Sequence, residues 1–350
     1  MHDFFRRRPL IVAGVLALLL LPVLGGCAKK TTTGYPAVST EPTISKPSAP
    51  IVWPYTGLKA PSAQAIKKRP ISVKIENSNP ARPQKGLNSA DIVYETMVEG
   101  GITRFNCIFQ SKLPKELGPV RSARLSDIWI VPQYGAMFYF SGANSQVAAR
   151  VKNRGINDMS QSKAPSLYHR ISFKSAPHNL YMSTKSAYKL AEAKGFSTTF
   201  DKKGLDFGTP STEATKTATT ITIPFSYYAK ITWKYDTSTN TYLRFNSGAA
   251  HKDGATGEQV NATNVVVLWA KYTTQTKLDH AGSVTYDTAL GGSGKAAVFK
   301  DGTRTDVTWE ADKNTPPHFT DKDGNTVKLN PGKTWFEVPN TGIKINASGK

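Results

Sequence analysis

The chain has 350 residues and a formal net charge of +20, with 45 Lys and Arg against 25 Asp and Glu. That length holds one large or two ordinary domains, and a count of two cysteines excludes both a disulfide-stapled scaffold and a thiolate zinc cluster. So basic a surface meets nucleic acid, anionic lipid or an acidic polymer, and the address of the chain decides among them.

The address is written at the start. Arg6, Arg7 and Arg8 precede an uncharged apolar run from Pro9 to Leu24, which ends in Gly25-Gly26-Cys27. A basic segment, an apolar segment and small residues at a cut are the parts of a secretory signal, and the run is short for a spanning helix. The cysteine at the cut reads as a lipobox. Its thiol takes a diacylglyceryl group, and cleavage before Cys27 frees an amine for acylation by palmitate or a similar chain. Two or three chains anchor stably, since each buried methylene adds ~0.8 kcal/mol of membrane affinity. Residues 1–26 are therefore expected to be a lipoprotein signal peptide, and Cys27 the lipidation site. Cleavage removes Arg6, Arg7, Arg8 and Asp3 and leaves the chain strongly basic. The expected location is the extracytoplasmic face of the cell membrane. The expected partners are the membrane, through the lipid anchor, an anionic cell-wall polymer or precursor, and an envelope protein; that address excludes nucleic acid.

Residues 27–66 read as a tether. Pro36, Pro42, Pro47, Pro50, Pro54 and Pro61 interrupt a Thr/Ser/Ala-rich stretch that lacks apolar periodicity. A flexible chain of that length reaches roughly 35 Å. Residues 67–210 are expected to form a mixed α+β or α/β domain. Residues 70–76 and 91–98 alternate as strands, and Gly100-Gly101 turns the second into a third around Arg104. Cys107 shares a face of that third strand with Phe105 and Phe109, which points to a buried structural thiol. Leu125, Ile128 and Trp129 have helical spacing, ended by Pro132. Residues 136–140 read as a buried strand, 145–154 as a basic helix, and 183–194 as a helix capped by Ser183. Residues 211–220 read as a linker. Residues 221–350 are expected to be a mostly β domain, a sandwich or barrel, with short strands separated by turns such as Asp253-Gly254, Asp301-Gly302 and Asp323-Gly324.

Several motifs fail on inspection. Ser160-Gln161-Ser162-Lys163 and Ser186-Ala187-Tyr188-Lys189 both match SxxK without its companion motifs. Gly291-Gly292-Ser293-Gly294-Lys295 resembles a phosphate loop, but Ala289 and Ala296 stand at positions that need glycine and a hydroxyl, so it reads as a hairpin turn. The start of a calcium loop at Asp321 has Gly332 where its closing carboxylate belongs. No motif calls for a metal or another cofactor.

The chemistry-bearing region is 77–179. Gly118-Pro119-Val120-Arg121-Ser122-Ala123-Arg124 delivers two arginines three residues apart, at an expected helix N-terminus capped by Ser122. Guanidinium forks, free amides and a helix dipole together favour an anion. Salt bridges from these arginines to Glu95, Glu99 or Asp127 are the structural alternative. The candidate ligand-binding set is Asn77, Arg82, Glu95, Arg104, Arg121, Arg124, His178 and Asn179.

The segments that carry these residues resemble a known family. They are 77–87, 90–95, 99–105, 118–124 and Ala176-Pro177-His178-Asn179-Leu180-Tyr181, and together they are similar to the YerB-like lipoproteins. That family is of unknown function and has N- and C-terminal halves. The likeness spans residues 71–338. It implies a two-domain envelope lipoprotein and supplies no reaction. Three readings of function stand. The first is binding of an anionic envelope ligand (wall polymer, lipid-linked pyrophosphate precursor or peptidoglycan) through an arginine-lined site. The second is a scaffold for an envelope protein. The third is a hydrolase or transferase on wall precursors, with Glu95 or Glu99 as acid/base and His178 as proton shuttle; the residues assign no catalytic group.

Overall fold

The computed structural model describes residues 49–208, 216–275 and 284–349, so the signal peptide, Cys27 and the first part of the tether lie outside the described residues. Strands Ile71–Glu76, Ile92–Met97 and Thr103–Phe109 form an antiparallel trio, and Ile71–Glu76 also runs parallel to Met137–Tyr139. Gly100 and Gly101 take φ of 71° and 68° in the expected turn, a region that a side chain would disfavour. From the C-terminal half come Asn264–Leu268, Gly292–Lys300, Thr303–Ala311, His318–Thr320 and Thr334–Val338.

The first half is mixed α/β and the second mostly β, as expected, but the two are not separate bodies. Thr334–Val338 pairs parallel with Asn264–Leu268 on one side and with Ile92–Met97 on the other. One eleven-stranded sheet therefore crosses both halves. A six-stranded sheet, led by Thr220–Pro224, Lys230–Asp236 and Thr241–Asn246, packs on one face through Ile221, Ile231, Trp233 and Tyr242. On the opposite face lie helix Asp127–Tyr134, Tyr55 and Leu205. A third core joins that helix to helix Ser145–Asn153 through Ile128, Val131, Val147 and Val151.

Residues 49–350 form one compact unit, which corrects the expected domain division. The folded part starts before residue 67, because Tyr55 is only 1 % exposed and donates to the Tyr134 carbonyl at 3.1 Å. An aromatic of that size outweighs the proline-rich composition around it. Of the expected linker, 211–215 lies outside the described residues; Lys216–Thr217 pairs with the strand at Thr303, and Ala218 is buried.

Local expectations also shift. The helix after Arg124 starts at Asp127 and not at Ser122, runs through Pro132, and stops at Gly135 with φ 56°. Asp127 accepts the Arg124 amide at 2.7 Å, a bond made from inside the helix that replaces a serine cap. The helix expected from Ser183 is Ala187–Ala193, preceded by Ser186. Gly292–Lys295 is ladder and not a turn, pairing from Gly292↔Ala311 to Lys295↔Thr308. Cys107 is free and buried in the strand as expected, and burial raises its pKa.

Because the second half supplies the partner of strand Ile92–Met97, residues 49–208 produced alone should show no cooperative thermal transition. A chain cut between 208 and 216 should still elute as one particle in native size exclusion. A cooperative melt of 49–208 at the temperature of the whole chain would contradict a shared sheet.

Candidate functional site

The register of the main sheet decides where each charge goes. Glu95 faces Phe105 on one neighbour and Glu337 on the other, while Thr96 faces Arg104. Since side chains alternate along a strand, Glu95 and Arg104 lie on opposite faces of the sheet.

The Glu95 face is sealed by the six-stranded sheet. Arg244 comes from the inward positions of Thr241–Asn246 and donates to Glu95 at 2.6 Å, both side chains being 0 % exposed. Its guanidinium also lies 5.3 Å from the Phe105 ring centroid and 5.1 Å from that of Trp335. The other terminal nitrogen donates to His251 Nδ1, and His251 Nε2 meets Gln84 Oε1 at 2.7 Å. An arginine cannot accept, so Nδ1 is the acceptor and Nε2 carries the hydrogen. Burial, then Arg244 and Arg82, hold this histidine neutral. Glu337 accepts from Trp233 Nε1 at 2.7 Å. Burial first, and Glu95 second, raise its pKa well above the usual carboxylate range. One guanidinium thus balances one carboxylate, and the second acid stays protonated.

Asn77 closes this network at its outer end. Its amide nitrogen donates to Thr103 at 2.7 Å and to Glu95 at 3.2 Å. Its oxygen accepts from Arg82 Nε and Gln84 Nε2, each at 3.2 Å.

On the opposite face Glu76 collects three groups. Ser78 donates to it at 2.8 Å, His178 Nδ1 at 2.9 Å, and Arg121 Nε stands 3.4 Å away. A carboxylate only accepts, so His178 carries its hydrogen on Nδ1, and its Nε2 has no partner among the described residues. Arg124 pairs with Glu99 at 2.7 Å. Arg104, 6 % exposed, donates to the Ser122 carbonyl at 3.1 Å. Burial first, then Arg124 and Arg121, weaken its hold on its proton. The Nε atoms of Arg104 and Arg121 and the Oε2 of Glu76 are buried with no hydrogen-bond partner among the described residues. The loop is held in place by backbone bonds: Arg121 donates to Lys74 and Ala123 to Gly142, at 2.9 and 2.8 Å. Beneath it Lys74 and Asp127 form a fully buried pair at 2.8 Å.

The eight predicted residues therefore divide. Arg104, Arg121, Arg124 and His178 gather around Glu76 and Glu99. Asn77, Arg82 and Glu95 belong to the sealed network. Asn179 accepts from Arg170 at 2.6 Å and donates to the Ile171 carbonyl at 3.0 Å, so it braces the loop that carries His178. The salt-bridge alternative is correct for Arg124, which Glu99 holds; Asp127 serves Lys74. Glu95, fully enclosed, cannot act as an acid/base on a substrate.

Arg244, His251, Gln84 and Glu337 are not in the predicted set. A signal for Arg244 exists: Tyr242, Arg244 and Asn246 alternate on the inward face of a strand, and a charge at such a position demands a buried partner. The identity of that partner, 149 residues away, is set by the sheet junction.

The N-terminal domain of a protein of unknown function (DUF3048) matches residues 55–197, and the C-terminal domain of the same family matches 221–336. A "Putative lipoprotein YerB" of Bacillus subtilis (strain 168) is 30 % identical over 289 residues, covering 81 % of this chain and 85 % of that protein. The crystal structure of the YerB protein from Bacillus subtilis superposes with a TM-score of 0.75 at 29 % identity, over 85 % of this chain and 99 % of that one.

The buried acids make opposite predictions. Glu95→Gln leaves Arg244 enclosed without its charge partner and should cost about 3–5 kcal/mol. Glu337→Gln replaces a neutral acid by a neutral amide and should cost far less. The folded state keeps the Glu337 proton above its ordinary value of 4.5, whereas the unfolded chain releases it there. The folded state then binds more protons, so this group's contribution to stability falls as pH rises through that value. Urea denaturation at acid and neutral pH should show a shallower fall in Glu337→Gln; an unchanged slope would contradict the neutral assignment.

Proposed function

Because the chain belongs to the DUF3048 family, whose relative carries a lipoprotein name, we propose that it is an envelope lipoprotein that binds an anionic envelope ligand at the Arg104–Arg121–Arg124 cluster. The ligand class is a phosphate or pyrophosphate, carried by a wall polymer or a lipid-linked precursor. The observation that carries this reading is an imbalance of charge. Three guanidiniums face two carboxylates, Glu76 and Glu99; the buried Nε of Arg104 has no hydrogen-bond partner among the described residues, and that of Arg121 has only Glu76 Oε2 at 3.4 Å. A buried donor without a partner is costly, and an anion bridging Arg104 and Arg121 would lower that cost. Arg121 is 22 % exposed, which leaves it reachable from solvent.

Lipidation of Cys27 completes the reading, supported by the signal pattern in the sequence and by the relative's name. Cys27→Ala should release the folded part from membranes or leave an uncut precursor. Fractionation and migration like wild type would overturn the anchor.

A protein partner is favoured by a different observation: Tyr227 and Tyr228 stand 95 % and 69 % exposed at a hairpin tip, their rings 5.2 Å apart.

The anion reading is tested with inorganic pyrophosphate in isothermal titration calorimetry. Arg121→Ala should weaken binding by roughly 1.5–3 kcal/mol, the worth of a hydrogen bond to a charged group, with little change in melting temperature. Unchanged binding with lost stability would assign Arg121 to Glu76 alone.

A further inference from the structure

A cavity of about 1100 Å³ lies entirely on the second half, remote in sequence from the arginine cluster. It is larger than the usual pocket for a small ligand. Trp269 and Trp309 lie in its lining, and both indole N–H groups are already used, on the Ile343 carbonyl at 2.8 Å and the Trp269 carbonyl at 3.2 Å. Trp309 is only 3 % exposed, so the ring surface on offer is that of half-buried Trp269, which has no free donor.

Gly291, Ser293, Gly294 and Lys295, from the glycine-rich run, form one wall. Its glycines have a steric reason: a Cβ on Gly294 would fall 2.7 Å from Trp309 Nε1, and one on Gly291 would fall 2.5 Å from Trp129. The glycines are thus fitted to the two tryptophans that pack on them.

The charge of the lining is one-sided. Arg304 is paired with Asp306 at 2.6 Å, and Lys322 with Asp323 at 2.7 Å. Lys271, Lys295 and Lys344 are exposed and have no ion-pair partner among the described residues. They come from three separate segments, so the cations are distributed along the lining and do not form one fork.

We propose that this cavity is a second binding site, which takes a phosphorylated glycan. The C–H face of a sugar ring is apolar, and covering it with an indole removes both from water. Phosphates spaced along the chain then meet the three lysines. A ligand with several separated anions fits cations drawn from three segments better than a lipid with one headgroup does. The site is independent of the arginine cluster, and either can fail alone.

The test uses the full chain in detergent, in an Arg121→Ala background that weakens the first site. The probes are poly(glycerol phosphate) carrying glucose, the same polymer without sugar, and neutral dextran. The glucosylated polymer should bind best and quench tryptophan fluorescence. Lys271→Ala/Lys295→Ala/Lys344→Ala, all surface changes, should weaken it at least about tenfold and flatten its salt dependence. Trp269→Leu should erase the preference for the glucosylated polymer. If that variant does not fold, the triple lysine variant still decides. Equal binding by the triple variant, or equal affinity for the polymer without sugar, would overturn the proposal. So would lysine-dependent binding of phosphatidylglycerol vesicles with polymer binding unaffected.

Discussion

The pair between Glu95 and Arg244 is the constraint around which the structure is arranged. It joins the first-half strand that borders the second half to the sheet that covers it, at 2.6 Å with no solvent on either side chain. An ion pair so placed gains little net stability over a well-packed apolar core, but each charge becomes very costly if the other is withdrawn. The two halves are therefore committed to one arrangement. Neutral Glu337 beside it, held by Trp233, prevents a second negative charge from competing for the same guanidinium. Further polar ties follow the same junction: Asp253 accepts the backbone amides of Gly86 and Asn88 at 3.0 and 2.7 Å, and Gln133 donates to the carbonyls of Leu290 and Asp312.

The alternation of a strand explains why charges adjacent in sequence serve different ends. Glu76 and Asn77 follow one another, yet the first turns to Arg121 and His178 and the second to Glu95 and Thr103. Arg104 and Thr103 repeat the division on the neighbouring strand. The sealed face satisfies most of its donors internally. Arg244 Nε on the sealed face and Arg104 Nε on the other are both without a hydrogen-bond partner among the described residues, and what distinguishes the second face is that Arg121, 22 % exposed, reaches solvent.

Much of the fold was legible because it rests on local pattern. The Gly100-Gly101 hairpin, the buried Cys107 strand and the short strands after residue 220 follow from alternation and turn residues. The shared sheet was not legible, because parallel pairing of 92–97 with 334–338 joins segments some 240 residues apart, and only tertiary packing reports that. The low apolar periodicity of 49–66 concealed Tyr55, whose single ring anchors the segment. Of the candidate site, the arginine pair and His178 were visible as residue types. Their partners were not: Glu76 lies inside an ordinary-looking strand, and whether Glu95 faces ligand or core depends on a register that the sequence does not print.

The two faces meet at the end of strand Ile71–Glu76, and that junction gives the arginine loop its rigidity. Asn77 spends both amide hydrogens on Thr103 and Glu95 and its oxygen on Arg82 and Gln84. It cannot move without exposing buried groups of the ion-pair network. Glu76, one residue earlier, is thereby fixed in place, and with it the carboxylate that orients His178 and stands against Arg121. An anion at Arg121 would compete with Glu76 for the guanidinium, but it would not displace a backbone held from the far side of the sheet. The anion site proposed for the open face would therefore be preorganised by the closed one: the cost of ordering the loop is met in folding, and little of it would remain to be met on binding.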